Sequence, residues 1–202
     1  MNNLIHKSLL LLSLSMLVLG SVWAQGRPKI ETATFAGGCF WCMTPPFEKL
    51  KGVFKVTAGY TDGTGPSPTY EDYGDKGYTE GVQISYDSSK ITYAKLVDVF
   101  WKQINPTDPN GQFVDRGPHY RAAIFYHNDP QKKIAEKSRK DLDKSGRYDK
   151  PIVVPIKKYV NFFAAEEYHQ DYYQKNPTHY GLYHSLSGRD EYLDKIWGKD
   201  KH

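Results

Sequence analysis

Cys39 and Cys42, with Phe40 and Trp41 between them, are the two cysteines of this 202-residue chain. Gly37 and Gly38 let the backbone turn sharply before Cys39, and the apolar residues that follow can open a helix. A sulfur at a helix N-terminus lies over free backbone N–H groups, which favours thiolate over thiol. Because the thiolate is the nucleophile, the local pattern points to redox or nucleophilic chemistry. The pair admits three readings: a thioredoxin-like dithiol, half of a zinc site, or a nucleophile with a resolving partner. Zinc fits poorly, because a structural site wants four ligands, and His119, His169, His179 and His184 lack compact spacing beside a second cysteine pair. A disulfide enclosing two residues constrains little of the unfolded chain, so a pair that cycles is a better reading than a staple.

Glu80 is the acid to watch. It follows a long loop and begins a strand of apolar alternation, which puts its carboxyl at the edge of a cleft. Burial there raises its pKa and leaves it able to donate a proton to an oxygen. Taken alone, it reads more readily as an exposed strand-end glutamate.

The elements that must position these groups begin after an N-terminal segment of a different kind. Lys7 precedes an apolar run from Leu9 to Gly20, and Val22-Trp23-Ala24 supplies small residues at cleavage positions. Residues 1–24 are therefore expected to be a signal peptide, and 25–29 a polar leader. The run is too short and serine-interrupted for a spanning helix, so an exported, periplasmic or otherwise extracytoplasmic protein with no membrane segment in its mature form is expected. The formal charge of +4 falls to +3 once Lys7 is removed, with acids and bases mixed along the chain. That is no nucleic-acid footprint. Sixteen tyrosines suit a wet, partly apolar cleft.

Alternation predicts strands at 30–36, 53–60, 80–86, 120–127 and 152–159. Helices are expected from Cys39 to about Leu50, at 93–103 behind a Thr92 cap, from Asp129 to near Gly146, at 164–175, and near 190–197. Pro45-Pro46 is awkward in a helix, so the first helix proper is expected to start near Pro46. Residues 61–78 and 105–118 are long loops, common places for function. The order of elements predicts one domain over 30–202: an α+β, two-layer α/β sandwich with a ferredoxin-like core, a mixed sheet with helices on one face, and long loops of the kind that carry function.

Several separated motifs then agree. Gly38-Cys39-Phe40-Trp41, Gly59-Tyr60-Thr61, Pro68-Thr69-Tyr70, Glu80, and Asp115 with Gly117, Tyr120 and Arg121 stand in the order and spacing of the A-type peptide methionine sulfoxide reductases. Ala165-Glu166, His169-Gln170 and Lys175-Asn176-Pro177 continue the match, so nearly all of the chain from Ile30 to Trp197 resembles that family.

The resemblance implies reduction of methionine-(S)-sulfoxide, free and in proteins, with Cys39 as nucleophile and Glu80 as acid. It implies that Tyr70 and Tyr120 hold the sulfoxide oxygen, that Phe40 and Trp41 receive the S-methyl group, and that Asp115 is a polar pocket residue. Attack leaves a sulfenic acid on Cys39, and Cys42 is the one remaining thiol that can close a disulfide with it. Family members that relay through C-terminal cysteines differ here, because the chain has none after Cys42. Recycling then falls to an external thioredoxin-like or dithiol reductant, with no metal or other cofactor and a monomer expected. Tyr180, Tyr183 and Tyr192 in the tail are open to two roles, a cover over the site or ordinary packing. A generic C-x-x-C thiol–disulfide oxidoreductase is the alternative function, and an aromatic-rich binding module a third.

Overall fold

Alternating β-branched, aromatic and polar residues form the central strands β1 (Ile30–Ala36), β2 (Val53–Thr61) and β3 (Thr79–Asp87). A computed structural model describes residues 27–201, so the expected signal peptide and the first leader residues lie outside the described residues. Helix α1 (Phe40–Glu48) joins β1 to β2, and α2 (Tyr93–Trp101) joins β3 to the hairpin strands β4 (Gly111–Gln112) and β5 (Asp115–Arg116). Strand β6 (Ala123–Tyr126), helix α3 (Asp129–Lys144), β7 (Ile156–Lys158) and β8 (Phe162–Ala164) follow.

The six-stranded sheet runs β7-β6-β1-β3-β2-β8. Its inner four strands, β6-β1-β3-β2, pair antiparallel throughout. With α1 and α2 as the crossovers, this is the ferredoxin-like split β-α-β arrangement. Parallel β7 on one edge and antiparallel β8 on the other make the sheet mixed.

One face of the sheet carries the core. The Phe35 ring stacks on Phe100, Phe47 and Tyr93 at centroid separations of 5.1, 5.5 and 6.1 Å. Burying each such side chain contributes about 1.5–3 kcal/mol. Thr92 Oγ1 caps α2 by accepting from Lys95 N at 3.2 Å, and Asn128 Oδ1 caps α3 by accepting from Gln131 N at 2.9 Å.

Five expectations need correction. The strand expected at 152–159 forms only over Ile156–Lys158, because Pro155 has no N–H to give the ladder. Helix α1 runs through Pro45 and Pro46 instead of starting near them. Their absent N–H groups deprive the Trp41 and Cys42 carbonyls of helical donors, but the fully buried Met43 and Phe47 hold the turn against the sheet. The strand expected at 120–127 begins only at Ala123, because Pro118–Tyr120 forms a 3-10 turn after Gly117, whose φ is +115°. Residues 164–175 are not one helix. The Gln170 amide bonds both Ala58 N (2.9 Å) and Ala58 O (3.0 Å) on β2, and Asp171 adopts left-handed φ. A 3-10 turn, Glu167–His169, therefore precedes a single α-turn, α4 (Tyr172–Lys175). Finally, the tail forms a helix that periodicity missed, α5 (Pro177–Leu186), ahead of α6 (Arg189–Trp197). Pro177 at its first turn is a start signal, while Gly181 in its middle weakens the helical pattern. No helix among the described residues is long and apolar enough to cross a membrane.

Candidate active site

The turn from β1 into α1 is tight. Gly38 sits at φ +81°, and a Cβ there would lie 2.7 Å from Gln112 Cβ, so a side chain cannot be accommodated without movement. Cys39 takes the N-cap position, its carbonyl accepting from Cys42 N at 3.1 Å and Met43 N at 3.2 Å. The first free helix donor, Phe40 N–H, goes to Glu80 Oε2 at 2.9 Å and not to the Cys39 sulfur.

A pocket of about 130 Å³ opens above this turn, lined by Cys39, Phe40, Trp41, Tyr70, Glu80, Asp115, Tyr120 and Tyr183. Seven of these are the residues singled out from sequence; the eighth is Tyr183 from α5. Cys42 does not line it and faces another groove, described below. Among the described residues no cluster of histidines, cysteines and acids has the arrangement of a metal site.

Glu80 lies at the start of β3 and is 2% exposed. Burial above all, and then the neighbouring Cys39, pushes its pKa well above the usual carboxylate range, against hydrogen bonds from Phe40 N–H and Tyr73 that pull it down. The Tyr73 hydroxyl donates to Oε1 at 2.9 Å. A neutral carboxyl aimed into a pocket is a proton donor. Burial and the facing Glu80 raise the Tyr70 and Tyr120 phenols, so both are hydroxyl donors as well. Thr79 Oγ1 donates to His119 O at 2.8 Å and ties the turn carrying Tyr120 to β3. Tyr70 N donates to Glu166 Oε1 at 2.9 Å, while Tyr60 donates to Oε2 at 2.7 Å.

Trp41 is fixed from several sides. Its ring stacks on Tyr172 at 3.8 Å, and its Nε1–H donates to His169 Nδ1 at 3.2 Å. Burial lowers the His169 pKa, which keeps the ring neutral and able to accept this bond. Tyr183 meets Trp41 edge-on at 6.0 Å and donates to both Asp115 oxygens, at 2.7 and 2.6 Å. Burial raises Asp115, with Tyr183 and Arg189 opposing.

The thiols interact directly. Burial, then the bond to Cys42, pushes Cys39 well up, whereas that same bond is the main force lowering Cys42, with Arg189 assisting. The expected lowering of the Cys39 pKa is therefore not found; its surroundings push the thiol up. Desolvation, with Cys42 and Asp115 beside it, outweighs the helix terminus. Arg189 is itself buried; its guanidinium donates to the Gln103 and Gly37 carbonyls and covers the Phe113 ring at 4.6 Å.

Sequence reasoning does not assign Tyr73, His169 or Arg189 to the site, while Tyr183, open there between a cover over the site and ordinary packing, lines the pocket. Tyr73 stands three residues after Tyr70 in a helical turn, with Tyr73 N bonded to Thr69 O at 2.9 Å. That i, i+3 spacing is the signal that could have found it.

Residues 31–201 match the family model described as peptide methionine sulfoxide reductase. A peptide methionine sulfoxide reductase MsrA from Listeria monocytogenes is 53% identical over 173 residues, covering 85% of this chain and 98% of that one. One from Bacillus velezensis is 54% identical over 171 residues, covering 84% and 97%. Among solved structures, reduced Mxr1 from Saccharomyces cerevisiae aligns with a TM-score of 0.67 at 33% identity, over 74% of this chain and 87% of that chain. Methionine sulfoxide reductase A of Corynebacterium diphtheriae aligns at 0.65 and 28% identity, over 75% and 77%.

Proposed function

The chain belongs to the peptide methionine sulfoxide reductase family, and from that premise we propose how its residues divide the reduction of methionine sulfoxide to methionine. The substrate is the S epimer, free or within an oxidised protein. Its S-methyl group lies against Phe40 and Trp41, where sulfur–aromatic contacts contribute about 0.3–1.5 kcal/mol. Its oxygen accepts from Glu80, Tyr70 and Tyr120, all neutral donors. Sulfoxide sulfur is a poor electrophile until that oxygen takes a proton, which is the task of Glu80. Cys39 Sγ attacks the sulfur of the protonated sulfoxide and forms a sulfur–sulfur bond; the oxygen then passes to Cys39 Sγ as hydroxyl while the sulfur–sulfur and original sulfur–oxygen bonds break, so methionine leaves and Cys39 becomes a sulfenic acid. The thiol is oxidised by two electrons and the sulfoxide reduced by two. Attack by Cys42 Sγ on the sulfenic sulfur then expels water and closes the Cys39–Cys42 disulfide.

The observation that carries this reading is the single small pocket in which Cys39 meets Glu80, Tyr70 and Tyr120 between aromatic walls. A generic dithiol oxidoreductase has no need of those three donors. Recycling is assigned to a thioredoxin-like protein dithiol, since the chain has no third cysteine. The protein acts as a monomer without a metal, in an extracytoplasmic compartment. Export is supported by Lys7, the apolar run after it and the start of the family match at residue 31; N-terminal sequencing of the secreted protein tests it.

Incubating the protein with each separated sulfoxide epimer and dithiothreitol, then measuring methionine, tests the activity. Methionine from the S epimer alone, abolished by Cys39→Ser, is expected. Insulin-disulfide reduction without sulfoxide turnover overturns the reading.

A further inference from the structure

The two sulfurs of the site are both buried and line different pockets. Cys39 lines the sulfoxide pocket and Cys42 does not. Cys42 instead lines a groove of about 440 Å³ between α1, α2 and the tail helices. Pro46, Leu50 and Val99 form apolar wall, and Lys49, Lys95 and Lys102 stand along it. Asp98 pairs with Lys95 at 3.2 Å and Lys102 at 3.3 Å, and the groove's own carboxylate, Asp190, pairs with His184 at 3.1 Å. Three ammonium groups therefore face two carboxylates, leaving the groove mouth positive.

We propose that this groove is the docking surface for the protein reductant, whose thiolate reaches Cys42 there and forms its mixed disulfide with Cys42 while methionine sulfoxide uses the separate Cys39 pocket. The inference rests on the Cys39–Cys42 disulfide of the preceding section. Thiol–disulfide exchange needs the attacking thiolate in line with the bond that breaks. From the groove, the in-line path meets Cys42 Sγ and expels Cys39 Sγ into the pocket, where Glu80 and the phenols can return its proton. A second thiol of the reductant then attacks its own half of the mixed disulfide and releases Cys42. Two electrons and two protons pass from the reductant to the enzyme. The occupant that fits is a dithiol protein with an apolar rim around its cysteines and an acidic flank. The sulfoxide pocket, with less than a third of the groove's volume, suits a side chain and not a protein loop.

The test begins with full-length protein oxidised by one round of substrate. Its methionine yield is read first, and absence of methionine counts against the activity, not the groove. A bacterial thioredoxin whose second active-site cysteine is serine is then added, and the adduct is mapped by peptide mass spectrometry. The adduct is expected on Cys42; an adduct on Cys39, or none, overturns the proposal. A second arm uses the Lys49→Glu/Lys95→Glu variant. Both side chains are exposed, and glutamate at 95 completes a capping box with Thr92, so folding is preserved. Its KM for thioredoxin should rise about tenfold at low salt, with the rate in dithiothreitol unchanged. An unchanged KM for thioredoxin also overturns the proposal.

Discussion

Replacing Glu80 by glutamine isolates its proton from its shape. The side chain keeps its volume: its amide oxygen can accept from Phe40 N–H, and its NH2 can donate to a Tyr73 hydroxyl that rotates to accept, at the two positions where Glu80 makes contacts of 2.9 Å each. Stability should therefore change little. Alanine, by contrast, leaves both buried donors unpaired at about 1–3 kcal/mol each, a loss of about 2–6 kcal/mol. Glutamine cannot deliver a proton, and a positioned acid contributes about 10²–10⁴-fold, so the single-turnover rate should fall by that factor. Quenched-flow measurement of methionine at pH 7, beside urea unfolding, reads both quantities. The pH dependence has a definite sign. Glu80 holds its proton to a higher pH when folded than its ordinary value of 4.5. Its favourable contribution to stability is therefore complete below that value and is lost as pH rises toward the folded pKa. The Glu80→Gln variant should lack this component of the decline. A variant that unfolds like the parent and keeps its turnover rate within a few-fold would refute the proton-donor role.

Three other perturbations follow from the same geometry. Tyr73→Phe removes a hydrogen bond that lowers the Glu80 pKa, so the alkaline limb of the single-turnover pH profile should move upward; a downward shift contradicts this. His169→Ala leaves the Trp41 indole N–H without its acceptor, and loss of about 1 kcal/mol of positioning should raise KM about fivefold with a smaller effect on kcat. Gly38→Ala places a Cβ at φ +81° and 2.7 Å from Gln112 Cβ, which should cost at least about 1–2 kcal/mol in urea unfolding and lower turnover; an unaltered midpoint contradicts it.

Much of the fold is legible because the central strands obey a local rule. The alternation in 30–36, 53–60 and 80–86 reports their burial directly, and Thr92 and Pro130 mark helix starts without any tertiary information. The failures share a different cause. The segment 164–175 departs from a helix because of contacts to β2, over a hundred residues earlier in sequence. Helix α1 survives two prolines because its apolar face is pinned by the sheet. Site residues divide the same way. Cys39 sits in a local context that announces chemistry, whereas Phe40, Trp41 and Glu80 gain their roles only when the separated motifs are read together. Tyr183 reaches Asp115 from 68 residues away, and Arg189 reaches Gly37 from 152, distances at which spacing carries no information. The direction of the Cys39 shift escapes sequence reasoning for a related reason: the helix terminus is visible in sequence, and the burial of the sulfur beside Cys42 and Asp115 is not.

The most direct measurement is a single exposure of the Cys42→Ser protein to methionine-(S)-sulfoxide, with methionine quantified and a sulfenic-acid probe mapped to its peptide. One equivalent of methionine per chain and a probe adduct on Cys39 are expected, with turnover stopping there in the absence of an added thiol. Methionine formed without an adduct on Cys39, or formed repeatedly with no thiol present, contradicts nucleophilic attack by that sulfur.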